Sequence, residues 1–166
     1  MKVLQHMLSR WIKPLVALTV VLLLSLTVAS SPGYATLVDA TTWNNLGQQL
    51  FTQKRYSDAL LAYNHALIIQ PTYSLVLANR CGVLSQLGEY DQALISCDLA
   101  LEVNAQWGSQ GEALGWDNRG NALFNLERYQ EALNSFEQAL SHNPGYSNAQ
   151  RNRQIVLYQL NQLETR

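Results

Sequence analysis

The sequence predicts an all-α chain of stacked helix-turn-helix units closed by a C-terminal helix. Three observations predict it. One phrase recurs three times, as Arg55-Tyr56-Ser57-Asp58-Ala59-Leu60, Glu89-Tyr90-Asp91-Gln92-Ala93-Leu94 and Arg128-Tyr129-Gln130-Glu131-Ala132-Leu133. Around each copy, apolar residues return at the spacing of amphipathic helices, in pairs separated by a short turn. Pro71 and Pro144 then stop the second helix of a pair, because proline breaks the helical hydrogen-bond ladder.

Composition narrows the function classes. The chain has 166 residues, 48% hydrophobic and 14% charged, with a formal net charge of −1. Plentiful aliphatic and aromatic residues exclude disorder throughout. The near-neutral charge gives no strong pull toward nucleic acid. Two cysteines cannot build a four-cysteine zinc site or a disulfide-dense miniprotein.

The first element is residues 1–35. Lys2, Arg10 and Lys13 form a basic start with no acid, which leaves a net −4 on the rest of the chain. Leu15 to Ala29 is an uncharged apolar run, followed by Ser30-Ser31-Pro32-Gly33-Tyr34-Ala35. Basic, then apolar, then small residues is the order of an export signal. Gly33 and Ala35 would precede a cut before Thr36, and Ala29 and Ser31 offer another. The run makes a helix of roughly 22 Å, short of the roughly 30 Å hydrocarbon core. The segment therefore reads as a cleaved signal peptide, with a membrane anchor over residues 11–29 as the alternative. Both readings place the rest of the chain across a membrane, in a periplasm, a lumen or outside the cell. The next basic residue after Lys13 is Lys54, in keeping with the positive-inside bias.

The repeat fills the remainder. Trp43, Leu46, Gly47, Ala59, Tyr63, Ala66 and Pro71 mark the first copy. A second copy carries Leu77, Cys81, Ala93, Cys97 and Ala100, and a third carries Trp116, Gly120, Ala132, Phe136, Ala139 and Pro144. This pattern resembles the tetratricopeptide repeat family, with units at 40–73, 74–107 and 113–146 and an inserted loop at 105–112. The second unit departs most, with Arg80, Cys81, Cys97 and Ala105 at marked positions; Arg119 replaces a leucine in the third. The resemblance implies a right-handed solenoid. Three stacked units bury what one cannot. Residues 147–166 read as the cap. Ala149, Ile155, Val156, Leu157, Leu160 and Leu163 supply its inner stripe, while Asn152, Arg153, Gln159, Asn161 and Gln162 face water.

The resemblance also implies that the first helix of each unit lines a concave groove. The groove positions are Asn44, Asn45, Gln48 and Phe51; Ala78, Asn79, Gly82 and Gln86; and Asp117, Asn118, Asn121, Phe124 and Asn125. Asn45, Asn79 and Asn118 hold the same place in each unit. An amide offers donors and an acceptor together, so a ladder of amides suits the backbone of an extended peptide. The competing reading is that these asparagines bond locally. Members of the family that hold the acidic C-terminus of heat-shock chaperones clamp its carboxylate with lysine or arginine. Asn79 matches the asparagine of that clamp, but Asn44, Leu114 and Asn118 stand at its basic places, so the groove is expected to lack the cations. On the inserted loop, Trp107 reads either as an exposed anchor for a partner or as a side chain folded back onto the helices.

Cys81 and Cys97 fall on the two helices of the second unit and roughly face each other. They read either as a disulfide closing the hairpin or as two buried thiols. Catalysis finds no support. His6, His65 and His142 have no carboxylate or cysteine at ligand spacing, and no nucleophile, phosphate or dinucleotide motif is present. No catalytic residue, metal or cofactor is expected. The expected function is a non-enzymatic protein–protein interaction module for a protein or extended peptide. It would be exported or anchored, touching membrane only through its N-terminal segment, as a scaffold or assembly factor of an envelope or membrane complex. A self-associating structural subunit is the alternative.

Overall fold

The computed structural model describes residues 39–165. Seven α-helices run in order: α1 (Ala40–Thr52), α2 (Tyr56–Ile69), α3 (Ser74–Gln86), α4 (Tyr90–Val103), α5 (Gly111–Asn125), α6 (Tyr129–His142) and α7 (Ser147–Glu164). A short 3₁₀ turn, Gly108–Gln110, precedes α5. Among the described residues there is no strand. The fold class is the one the sequence predicts, a solenoid of helical hairpins with a closing helix.

Local chemistry sets the helix ends. Asp39 caps α1 by accepting a hydrogen bond from the Thr42 amide at 2.6 Å, which holds its carboxyl below the usual carboxylate range. Each hairpin then turns in the same way. Arg55, Glu89 and Arg128 donate their amides back to the carbonyls of Leu50, Leu84 and Leu123 at 2.9–3.0 Å. The residue before each, Lys54, Gly88 and Glu127, takes a positive φ of 61°, 80° and 59°. Only Gly88 adopts that conformation without steric cost.

Each hairpin packs through one close pair. A Cβ on Gly47 would come within 2.5 Å of the Tyr63 ring, and one on Gly120 within 2.5 Å of the Phe136 ring. The glycines let a ring lie flat against the opposing backbone. In the second hairpin, Cys81 and Cys97 occupy the same two places and form a disulfide, with Cα atoms 5.4 Å apart. Both cysteines are fully buried, beside Leu84, Ala93 and Ala122. Desolvation raises the hydroxyl pKa of the buried Tyr63.

The packing decides between the two readings of Trp107 and corrects the expected faces of α7. Trp107 is not an exposed anchor: it is 8% exposed and packs with Leu77, Ala78 and Ala100. Positive φ at Asn104, Gln106 and Gly108 folds the loop back. Ser74 ties it down, donating its amide to Ala105 O at 3.0 Å and accepting from the Ala105 amide at 2.9 Å. The indole N–H donates to Asn104 Oδ1 at 2.8 Å. The ring fills the space above Gly115, where a Cβ would come within 2.5 Å of it. In α7, Ala149 and Val156 are buried and Leu160 partly so, but Ile155, Leu157 and Leu163 are 39–47% exposed. Residues 149, 153, 156 and 160 share one helical face. Asn152 does not face water either; it turns inward, as described next.

Candidate functional site

The first helix of each hairpin, together with α7, lines one concave groove of about 830 Å³. Gln48, Phe51 and Thr52 come from α1, and Asn79, Gly82, Ser85 and Gln86 from α3. α5 contributes Leu114, Asp117, Asn118, Asn121 and Asn125. Asn148, Arg151 and Asn152 come from α7, with Tyr146 just before it. The lining is mostly amide and aromatic.

The amides form a ladder between neighbouring units. Asn79 donates Nδ2–H to Asn44 Oδ1 at 2.9 Å. Asn118 donates to the Ala78 carbonyl at 2.8 Å. Asn152 donates to Asp117 Oδ1 at 3.0 Å and to Asn121 Oδ1 at 3.1 Å. The rule is uniform: the sixth residue of each unit donates to the fifth residue of the unit before it. Each such bond contributes about 1 kcal/mol when buried. One amide hydrogen of Asn79, one of Asn118 and both of Asn152 are thereby committed to the scaffold, and the remaining polar atoms are left for a ligand.

The structure distributes the expected groove residues unevenly. Gln48, Asn79, Gln86, Asn118, Asn121 and Asn125 line the groove. Asn44 is 2% exposed and serves as the acceptor for Asn79. Asn45 is exposed and does not line the groove, because no unit among the described residues precedes α1 to accept its amide. The groove also holds a cation that the sequence reading lacked, Arg151. Asn152 and Arg151 were legible: a step of 34 from Asn118 lands on Asn152, so α7 continues the repeat register as well as capping it.

Asp117 stands on the groove wall and is 4% exposed. Its Oδ1 accepts from Asn152, and its Oδ2 accepts from Asn121 at 3.3 Å. Desolvation pushes its pKa up to about 6; the two amide bonds and the Arg151 charge oppose this without overcoming it. Among the described residues, no cluster of His, Cys, Asp and Glu stands ready to hold a metal.

Tetratricopeptide repeat models match residues 40–73 and 113–146. A STIP1 homolog of Dictyostelium discoideum is 30% identical over 105 residues, covering 63% of this chain and 18% of that protein. The heat-shock protein cognate co-chaperone sgt12 of Aspergillus fumigatus is 28% identical over 94 residues, covering 57% of this chain and 26% of that protein. This chain thus matches about a quarter or less of the length of these relatives. Among solved structures, the Sgt2 tetratricopeptide domain of Aspergillus fumigatus aligns with a TM-score of 0.69 at 22% identity, covering 76% of this chain and 82% of that one. The first such domain of Spaghetti (RPAP3), bound to the HSP90 peptide SRMEEVD, aligns with a TM-score of 0.65 at 23% identity, covering 73% and 92%. The structural matches show the fold.

The relatives overturn the expected export across a membrane. Of these, sgt12 is by name a heat-shock protein cognate co-chaperone, which points away from export and lends no support to an envelope scaffold. Among the described residues, no helix is long and apolar enough to cross a membrane. The signal peptide over 1–35 and the anchor over 11–29 lie outside the described residues.

Proposed function

We propose that this chain, a tetratricopeptide repeat protein-interaction module, receives an extended peptide along its concave groove and performs no chemistry on it. One observation carries the reading. The groove is a continuous, amide-lined channel whose rungs are held rigid by the bonds between units. Rigid donors and acceptors lose little entropy on binding. Amides pair with a peptide backbone whatever its side chains, while Phe51 and Tyr90 offer apolar area beside them. The Spaghetti domain bound to SRMEEVD supports an extended peptide as the class of ligand. The acidic tail itself fits poorly, since Asn44, Leu114 and Asn118 replace the cations of a carboxylate clamp and Asp117 places a negative charge in the wall.

The test is peptide capture from a randomised, end-blocked nonapeptide library at pH 7.5, with SRMEEVD as a separate probe. Gln48→Ala/Gln86→Ala serves as the groove variant, because neither side chain bonds across the ladder. The wild type should retain library peptides, the variant should lose at least tenfold in affinity, and SRMEEVD should bind more weakly than the retained peptides. Retention unchanged in the folded variant would place binding elsewhere. SRMEEVD binding more tightly than any library peptide would return the chain to the carboxylate-clamp class.

A further inference from the structure

Among the described residues the groove has one acidic side chain, and the ligand's chemistry follows from how it is held. We infer that Asp117 forms a subsite for a cationic side chain, lysine or arginine, of the peptide in the groove; this rests on the groove being the peptide site.

Charge is scarce in the groove, which makes the placement of each charge informative. Its charge-bearing side chains are Asp117 and Arg151. Along α1 and α3 the lining is neutral: Gln48, Phe51, Thr52, Asn79, Ser85 and Gln86. The fifth residue of the units is Asn44, then Ala78, then Asp117. An acid therefore stands at one register of an otherwise repetitive wall. A repetitive amide wall leaves a peptide free to slide by two residues at a time. A single buried charge fixes where it stops.

The carboxylate itself is under-compensated. Two neutral amides reach it, Asn152 at 3.0 Å and Asn121 at 3.3 Å. A carboxylate accepts about four hydrogen bonds, so about half its capacity is unused. Among the described residues no Lys, Arg or His forms an ion pair with it. Its raised affinity for a proton is the signature of that deficit. Removing one buried charge's isolation requires an opposite charge at the same place. Arg151 acts on Asp117 only at longer range, and its own side chain is exposed. An incoming ammonium or guanidinium would find an acceptor already oriented by Asn121 and Asn152. Ser85 adds a second unused group to the same groove: its hydroxyl is buried and has no hydrogen-bond partner among the described residues.

The pH behaviour is specified by the neighbours. The charged and titratable groups around Asp117 are Arg151 on α7 and Tyr146 before it; α5 presents Asn121. The groove's other ionisable side chains are tyrosines. Among the described residues Asp117 is the groove's one carboxylic acid, so a change in cation preference between pH 7.5 and 5 is assigned to it.

The experiment compares end-blocked nonapeptides selected from the library with the same peptides carrying norleucine in place of lysine or arginine. Wild type should enrich a cationic residue at one register, and norleucine there should weaken binding at least tenfold at pH 7.5. Lowering the pH from 7.5 to 5 should shrink that ratio. Asp117→Asn should abolish the ratio while still binding the norleucine peptide. Arg151→Gln should keep the ratio or raise it. Peptides retained with no cationic preference, or a preference that survives Asp117→Asn, would overturn the subsite while leaving the groove intact. No peptide retained by wild type would overturn the groove reading and the subsite together. If Asp117→Asn fails to fold, the wild-type pH series decides: a ratio constant from 7.5 to 5 counts against the subsite.

Discussion

In the first and third hairpins, a glycine lies against an aromatic ring, Gly47 on Tyr63 and Gly120 on Phe136. In the second hairpin, the same two positions hold Cys81 and Cys97, joined by a disulfide. The backbones in all three must approach closely there. Glycine with a ring achieves this by shape, with no side chain on one side and a flat one on the other. Two cysteines achieve it with a covalent bond and far less apolar volume. The unit that departs most from the sequence pattern is thus the one whose hairpin is stapled. The turn repeats the contrast, with Gly88 in the second hairpin where Lys54 and Glu127 carry strained backbones in the others.

The largest expected effect comes from removing the staple. Cys81→Ala/Cys97→Ala should destabilise the protein by about 3 kcal/mol, the loop-closure value for a hairpin of this size. Denaturant melts read this directly, and Cys81→Gly/Cys97→Phe should recover part of the loss by recreating the glycine–ring pair. Equal stability of wild type and the double alanine variant would show that the second hairpin packs without the bond.

Asp117 gives an effect of similar size that depends on pH. Its pKa is raised from 3.8 to about 6 on folding, so the folded state holds the proton more tightly than the unfolded one. Stability linked to this site is therefore full below about pH 4 and lost as the pH rises through about 6. Between these limits, Asp117→Asn should gain on the wild type by up to about 3 kcal/mol, whatever its offset at low pH. Parallel stability curves for the two proteins would contradict the buried placement of Asp117.

Next come the glycine pairs. Gly47→Ala and Gly120→Ala should each cost about 1–3 kcal/mol by overpacking against a ring. The two values should match, since the surroundings match. The amide ladder gives smaller steps. Asn79→Ala and Asn118→Ala should each lose about 1 kcal/mol, and Asn45→Ala almost nothing, because among the described residues Asn45 has no acceptor in a preceding unit. The smallest effect has the opposite sign: Lys54→Gly and Glu127→Gly should stabilise by about 0.5–1 kcal/mol, relieving positive φ, while Gly88→Ala should destabilise.

How far the sequence could be read follows from the same contrasts. Helices and turns were legible because glycine, alanine, proline and ring positions recur in register, and those residues act through local geometry. Trp107 was not, because four residues of irregular backbone decide whether a loop tryptophan turns out or back. The face of α7 was half legible. The run Ile155-Val156-Leu157 offers three apolar residues, and only packing against α6 shows that Val156 is the buried one. In the groove, residue types were legible but their bonds were not. Asn44, Asn79 and Asn118 look alike in sequence, yet one accepts from the next unit and the other two donate to the previous one. Asn152 belonged to the same series and was hidden by the expectation that a capping helix turns its polar residues outward.

The central claim is that the concave face is the binding face. Amide chemical shifts of the wild-type protein, recorded as a library-selected peptide is added, test it most directly. The account predicts perturbations centred on Gln48, Gln86, Asn121 and Arg151, with Leu61 and Ile95 on α2 and α4 unmoved. Perturbations centred on Leu61 and Ile95, with the groove residues silent, would contradict it.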